Sequence, residues 1–222
     1  MLTDRQFRVA RIWSNREIKK LSPLFLGEVV NVSAWDDRDK EGGRYEEYFT
    51  NASSYHYTNY TGHRGIQQQK NEYFVDLAND LPSELRERFD VAFNHTTLEH
   101  VFDVQKAFSN ICNMSKDVVI VVVPFSQMQH ETDSFGDFWR FAPSCLREMF
   151  RRNGLKVIYE AESKNKKAAI YLLFVGSRHP ERWKDKLPKF EPIKEAGNWI
   201  GFRWSSRIYQ ALKRRILANV GE

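Results

Sequence analysis

No uninterrupted apolar run reaches the eighteen or so residues a membrane-spanning helix requires. No transmembrane helix is therefore expected. The opening residues, MLTDRQFRVARIW, lack an apolar core followed by a small-residue cleavage site, so export is not expected either. Cysteine is scarce: Cys112 and Cys145 are the only two, and their spacing is not that of metal ligands. They read as reduced, partly buried thiols of a cytoplasmic protein. Internal repeats and low-complexity segments are also lacking. One local absence matters more. In VVNVSAWDDRDKEGGRYEEYF, residues 29–49, a short apolar strand runs into a polar loop, where an α/β fold holds a nucleotide. Yet the tightest part of that turn, Ser33-Ala34-Trp35, contains no glycine.

The 222 residues suffice for one domain with a substantial core and a short appendage. The net charge of +5 is unevenly placed. Residues 178–222 hold eleven Lys/Arg against five Asp/Glu, and the remainder is close to neutral, with 23 against 24. A basic tail says more about partners than about the fold of the main body.

Thr3 and Gln6 suggest a capping box, so a helix is expected over Asp4 to about Lys20. Strands are expected at Glu28–Val32, Ser54–Asn59, Tyr73–Leu77, Phe89–Asn94 and Val118–Val123. The last, VVIVVV, is the β-branched run of a strand covered on both faces. Val101, Val104, Phe108 and Ile111 form the buried stripe of a helix from about Leu98 to Asn113. A long loop, Pro124–Ala142, follows the fifth strand. Pro143 then opens a helix that stops at Asn153-Gly154. LKVIYEAE and AAIYLLFVG flank SKNKK and read as a closing β-hairpin. Strands alternating with helices point to an open, mostly parallel α/β sheet whose ligand sits at the carboxyl ends of the strands.

Three segments in this order, FDVAFNHTTLEHVFDVQKAF, VVIVVVPF and HETDSFGDFWRFAPSCLREMFRRNGLKVI, resemble the class I S-adenosylmethionine-dependent methyltransferases. The nearest likeness is to small methyltransferase-like proteins of sugar and cell-surface polysaccharide gene sets. It covers about Leu26 to Gly176. It implies a Rossmann-like methyltransferase fold: a central, mostly parallel, seven-stranded sheet with a C-terminal β-hairpin and helices on both faces. Residues 1–177 would form this domain, and residues 178–222 a basic connector with an amphipathic C-terminal helix.

The resemblance implies S-adenosylmethionine as cofactor, held by Asn31, Ser33, Trp35, Asn59, Asp76 and Asn94. Ser33 and Trp35 stand where the family has glycines, and Asn59 where a carboxylate is usual; Asp76 matches. Trp35 admits two readings, a residue packed under the loop or one that fills the pocket or stacks on an adenine or sugar. Tyr45, Tyr48 and Phe49, after Gly42-Gly43, would anchor a short helix.

Methyl transfer to a hydroxyl needs a base for the acceptor proton, and histidine suits that role near neutral pH. His130, oriented by Asp133, is the candidate general base, with His100 near the reacting centre. Glu99 is read as the far end of a Thr96-x-x-Glu99 capping box. No residues have diagnostic metal-ligand spacing. The expected activity is O-methylation of a sugar or surface-glycan precursor. The alternative is a methyltransferase fold that has lost its cofactor and serves as a binding or scaffolding subunit in glycan assembly. In the tail, a helix from about Trp204 would put Ile208, Leu212 and Ile216 on one face with Tyr209, and Arg203, Arg207 and Arg214 opposite. That face suits self-association or docking, or peripheral contact with the inner face of a membrane. Nucleic acid is not an expected partner, since no recognised motif accompanies the charge.

Overall fold

The computed structural model describes residues 2–60, 65, 67, 70–164 and 169–193, with side chains from residue 8 onward. Helix α1 (Leu2–Leu21) precedes strands β1 (Gly27–Val32), β2 (Ala52–Asn59), β3 (Glu72–Phe74) and β4 (Phe89–His95). Helix α2 (Val104–Met114), strand β5 (Ser115–Ser126), helix α3 (Pro143–Arg152), and strands β6 (Lys156–Glu162) and β7 (Ile170–Ser177) follow. The seven strands form one sheet in the order β3-β2-β1-β4-β5-β7-β6. All neighbours run parallel up to β5, and β7 runs antiparallel to both β5 and β6. The expected sheet and its closing β-hairpin strands are present.

The VVIVVV run is central because it is apolar on both faces. Val119, Val121 and Val123 pack with Phe108 and Ile111 of α2 and Phe150 of α3. Val118, Ile120 and Val122 face the other way, toward Ile18 and Leu21 of α1 and Tyr45, Tyr48 and Phe49. The last three residues belong to or adjoin the short 3-10 turn Tyr45–Tyr48, the anchored helix expected there. Gly27 begins β1 at φ +88°, where an added Cβ would collide with the Asp90 carboxylate. Helix α3 begins at Pro143, and Gly154, two residues past its last residue Arg152, takes φ +72°.

One element differs from expectation in a way that shapes the site. The helix expected from Leu98 is broken into a 3-10 turn, Leu98–His100, and α2 from Val104. Asp103 caps α2 by accepting from the Lys106 amide at 3.2 Å. The turn ahead of it is freed to follow the cavity wall. Residues 178–193 fold back on the domain: the Trp183 indole donates to Asp117 at 3.1 Å and packs 5.1 Å from the Phe25 ring. Cys112 is buried and Cys145 exposed, both as free thiols. The expected helix beyond Trp204 lies outside the described residues.

Candidate active site

The strand order reverses between β1 and β4, and there the loops after the two strands part. A cavity of about 860 Å³ opens at this point. One wall is formed by Asn31, Ser33–Asp36, Asn59 and Val75–Ala78, and the other by Arg11, His95–Thr97, Glu99–Phe102, His130 and Phe135. This is the crevice at the carboxyl ends of the strands where open α/β sheets bind ligands.

The glycine-free loop after β1 keeps a glycine-type backbone. Ser33 takes φ 58°, Trp35 φ 51° and Asp37 φ 62°. A left-handed residue with a side chain costs about 1–2 kcal/mol, so the surroundings must hold it. The end of β2 does so. The Ser33 amide donates to Thr58 Oγ1 at 3.1 Å, and the Ala34 amide to the Thr58 carbonyl at 3.1 Å. Asn59 clamps Trp35 from both sides: its Oδ1 accepts from the Trp35 amide at 2.6 Å, and its Nδ2 donates to the Trp35 carbonyl at 3.1 Å. The same Nδ2 also donates to Glu72 Oε1 at 2.5 Å. Asn59 thus lines the cavity, but its amide is engaged in shaping the loop.

Asn31 is engaged similarly. Its Nδ2 donates to the buried Asp37 carboxylate at 2.7 Å. Tyr55 OH and the Glu46 amide also donate to that carboxylate, and Arg44 stands 3.6 Å away. Burial nonetheless dominates and raises the Asp37 pKa against these donors. Trp35 is half-buried in the cavity wall, with the Lys40 ammonium 5.0 Å from its ring centroid. Asp76 lines the wall while accepting from the Ala78 amide at 2.9 Å and Asn79 Nδ2 at 2.8 Å. Asn94 is fully buried and does not line the cavity. It donates to the Val32 carbonyl at 2.8 Å, tying β4 to β1 at the switch point.

The opposite wall corrects two readings of the sequence. Thr96 and Glu99 do not form a capping box. Thr96 takes a left-handed φ of 51°, and its hydroxyl accepts from Arg11 Nη2 at 2.8 Å instead. The residue ahead of the 3-10 turn is Thr97, which makes no side-chain cap. Glu99 is released into the wall, 1% exposed, with Oε2 lacking a hydrogen-bond partner. Burial pushes its pKa up to about 8, despite its own amide and the charges of Arg11 and Arg140.

The second correction concerns the partner of His130. Asp133 is exposed and does not line the cavity. The carboxylate beside His130 is Asp137, whose Oδ2 accepts from the His130 amide at 2.9 Å and lies 3.5 Å from Nδ1. Arg140 grips the same carboxylate through two bonds of 2.6 Å, a fork that fixes its plane. Burial works against ionisation, but Arg140 and the His130 amide prevail and bring the Asp137 pKa to about 2.

His100 and His130 stand edge to face, 4.9 Å between centroids. His100 Nδ1 meets the Gly136 carbonyl at 2.6 Å, so the proton sits on Nδ1 and Nε2 is an acceptor. Burial lowers the pKa of both rings, which keeps them neutral and able to take a proton. His95 completes the wall. Its Nδ1 faces Arg11 Nη1 at 3.2 Å, a group that can only donate, so its proton is on Nε2 toward Ser14 Oγ at 2.8 Å. Burial and then the Arg11 charge hold its pKa well below the usual histidine range. Among the described residues, no group of three or more His, Cys, Asp and Glu is arranged to hold a metal ion. No helix among them is long and apolar enough to cross a membrane.

No family model matches the sequence, and no curated protein matches it. Solved structures do resemble the fold. A chain of the Haloferax volcanii complex of the Trm112 methyltransferase activator with a methyltransferase superposes with a TM-score of 0.56 at 14% identity, over 79% of this chain and 92% of that one. Synechocystis magnesium protoporphyrin IX methyltransferase, solved with S-adenosylmethionine bound, gives a TM-score of 0.55 at 9% identity, over 79% and 83%. A Bacillus halodurans structure described as a methyltransferase gives 0.52 at 10% identity, over 73% and 97%. The chain has the class I methyltransferase fold. In that fold the cavity between β1 and β4 is this protein's candidate active site.

Proposed function

We propose that this protein is an S-adenosylmethionine-dependent methyltransferase that methylates a hydroxyl of a sugar or glycan precursor. One observation carries the cofactor half of this reading. The loop after β1 keeps left-handed turns at Ser33 and Trp35, at the mouth of the switch-point cavity, although neither residue is glycine. Such a conformation costs about 1–2 kcal/mol per residue, and strain of this kind gathers at ligand sites. Asp76, beyond β3, supplies a carboxylate on the same wall.

The acceptor half is supported by the opposite wall. Thr96, Thr97, Glu99, His100, His130 and Ser134 give a polyhydroxyl ligand many partners. Beside them, Phe102, Phe138 and Trp139 gather their rings although each is substantially exposed. Of the three, Phe102 lines the cavity, and exposed aromatics gathered about it suit the apolar side of a sugar ring. When bound, S-adenosylmethionine would supply the methyl group from its sulfonium and would be left as the neutral thioether S-adenosylhomocysteine, while the acceptor proton would pass to a base. His130 is the base in this reading, oriented by Asp137. Positioning supplies most of the rate.

A second reading keeps the fold as a binding or scaffolding subunit without the cofactor. It is favoured by the amides of Ser33, Ala34 and Trp35 and the side chain of Asn59, which already have partners within the protein. Calorimetric titration with S-adenosylmethionine and S-adenosylhomocysteine separates the two. Saturable binding to the wild-type chain is expected; no heat at millimolar ligand would remove the enzymatic reading.

A further inference from the structure

Glu99 lines the cavity although it is buried, and its Oε2 has no hydrogen-bond partner. Its main chain is pinned, since the Glu99 carbonyl accepts from the amides of Phe138 at 2.8 Å and Trp139 at 3.2 Å. The same loop pins the next residue: the Gly136 carbonyl holds His100 Nδ1, and Nε2 is left as an acceptor. That Nε2 lies 3.8 Å from Glu99 Oε1. The gap is too wide for the two groups to bond each other and narrow enough for one ligand oxygen to reach both. Around Glu99 stand Arg11 of α1, Asp137 and Arg140 of the loop after β5, and Tyr171 of β7, with His130 beyond His100. Burial outweighs the two arginines, so the carboxyl keeps its proton up to about pH 8. Burial also keeps His100 neutral. Near neutral pH the wall thus presents an acid O–H beside an imidazole lone pair. A hydroxyl answers both at a single atom, accepting from the acid and donating to the ring. An ammonium can only donate, and a carboxylate can only accept.

We infer that Glu99 and His100 form a seat for an uncharged hydroxyl of the ligand, the Glu99 carboxyl donating to it and His100 Nε2 accepting from it. The role is one of binding and selection. The seated hydroxyl keeps its proton, and a second hydroxyl of the same ligand reaches His130, whose ring centroid lies 4.9 Å from that of His100. The ligand class this selects is an uncharged polyol with neighbouring hydroxyls, in preference to an amine or an acid at that position. The seat stands on the geometry of the cavity; its use for a methyl acceptor rests on the methyltransferase reading above.

The test titrates the full chain, Glu99→Gln and Glu99→Leu with methyl α-glucoside, methyl α-galactoside and methyl α-mannoside, with and without S-adenosylhomocysteine. Binding is followed by NMR shifts of the histidine rings, and a melting curve of each protein verifies folding. Glutamine keeps a donor at this position and leucine does not. Saturable binding of at least one glycoside to the wild type is expected. Its affinity should be retained in Glu99→Gln and fall about threefold or more in Glu99→Leu. Wild-type affinity should also drop as the pH rises past about 8, where the donor proton is lost, and Glu99→Gln should not show that drop. Wild-type affinity in Glu99→Leu, an equal loss in both variants, an affinity that rises with pH, or no glycoside binding to the wild type overturns the inference. S-adenosylhomocysteine titrated into the same proteins separates the two readings. Glu99-dependent glycoside binding without S-adenosylhomocysteine binding would uphold the seat and remove the methyltransferase reading.

Discussion

The two walls of the cavity use polar groups in opposite ways. On the β1–β2 wall, Asn31, Asn59 and the amides of Ser33 to Trp35 bond to other parts of the protein, and the result is a fixed loop shape. On the β4–β5 wall, Glu99 Oε2 has no partner, and His100 Nε2, an acceptor, stands 3.8 Å from Glu99 Oε1. The first wall is rigid because side chains do what glycine does elsewhere. The second holds a buried carboxyl oxygen, Glu99 Oε2, in an unsatisfied state, which is costly unless a ligand completes it. Shape and chemistry are therefore divided between the two walls.

The sharpest way to break the comparison is to remove the unsatisfied carboxyl. Glu99 rises from an ordinary pKa of 4.5 to about 8 on folding. The unfolded chain therefore releases this proton first, and the native state binds more protons between those two values. Wild-type stability should fall as pH climbs through that window, by on the order of 4 kcal/mol, and level off above it. Glu99→Gln should lack this slope. Urea unfolding of both proteins at about pH 5 and about pH 9 measures it, and equal slopes would place the carboxyl in a solvated site.

Next in size is the rigid wall. Asn59→Ala removes both bonds to Trp35 and the bond to Glu72, and should destabilise the chain by about 2–3 kcal/mol. A thermal melt near the wild-type midpoint would show that the loop holds itself. Asp137→Asn should cost about 1–2 kcal/mol by weakening the Arg140 fork, whereas Asp133→Asn should leave the melting temperature unchanged. The reverse order would restore Asp133 as the partner of His130. The smallest effect is expected from Ser33→Gly. It keeps the backbone bond to Thr58 and relieves the left-handed strain, a gain of up to about 1 kcal/mol. A loss of stability there would mean that the Ser33 side chain supports the loop.

Much of the fold was legible in the sequence because periodicity reports burial. The VVIVVV run, the Val104-Phe108-Ile111 stripe and the Pro143 to Gly154 punctuation each encode a local cause. Of the residues singled out in the sequence, Asn31, Ser33, Trp35, Asn59, Asp76, His100 and His130 line the cavity, most of them because they follow strand ends. Thr96 misled because a capping box presumes an extended N-cap, whereas its backbone is left-handed. Asp133 misled because proximity in sequence does not show how a loop folds back. The Asp137-x-x-Arg140 spacing was the available signal for the real pairing. Arg11 gave none, since its partners lie 84 and 85 residues away.

The central claim is that a glycine-free loop, held by the end of β2, still forms a cofactor site. It is tested most directly by titrating S-adenosylhomocysteine into the wild-type chain and into Asn59→Ala, each first shown to be folded. The account predicts saturable binding to the wild type and a loss of about tenfold or more in the variant, as the clamp on Trp35 is released. Equal affinity in the two proteins, or no binding to the wild type at millimolar ligand, would contradict it.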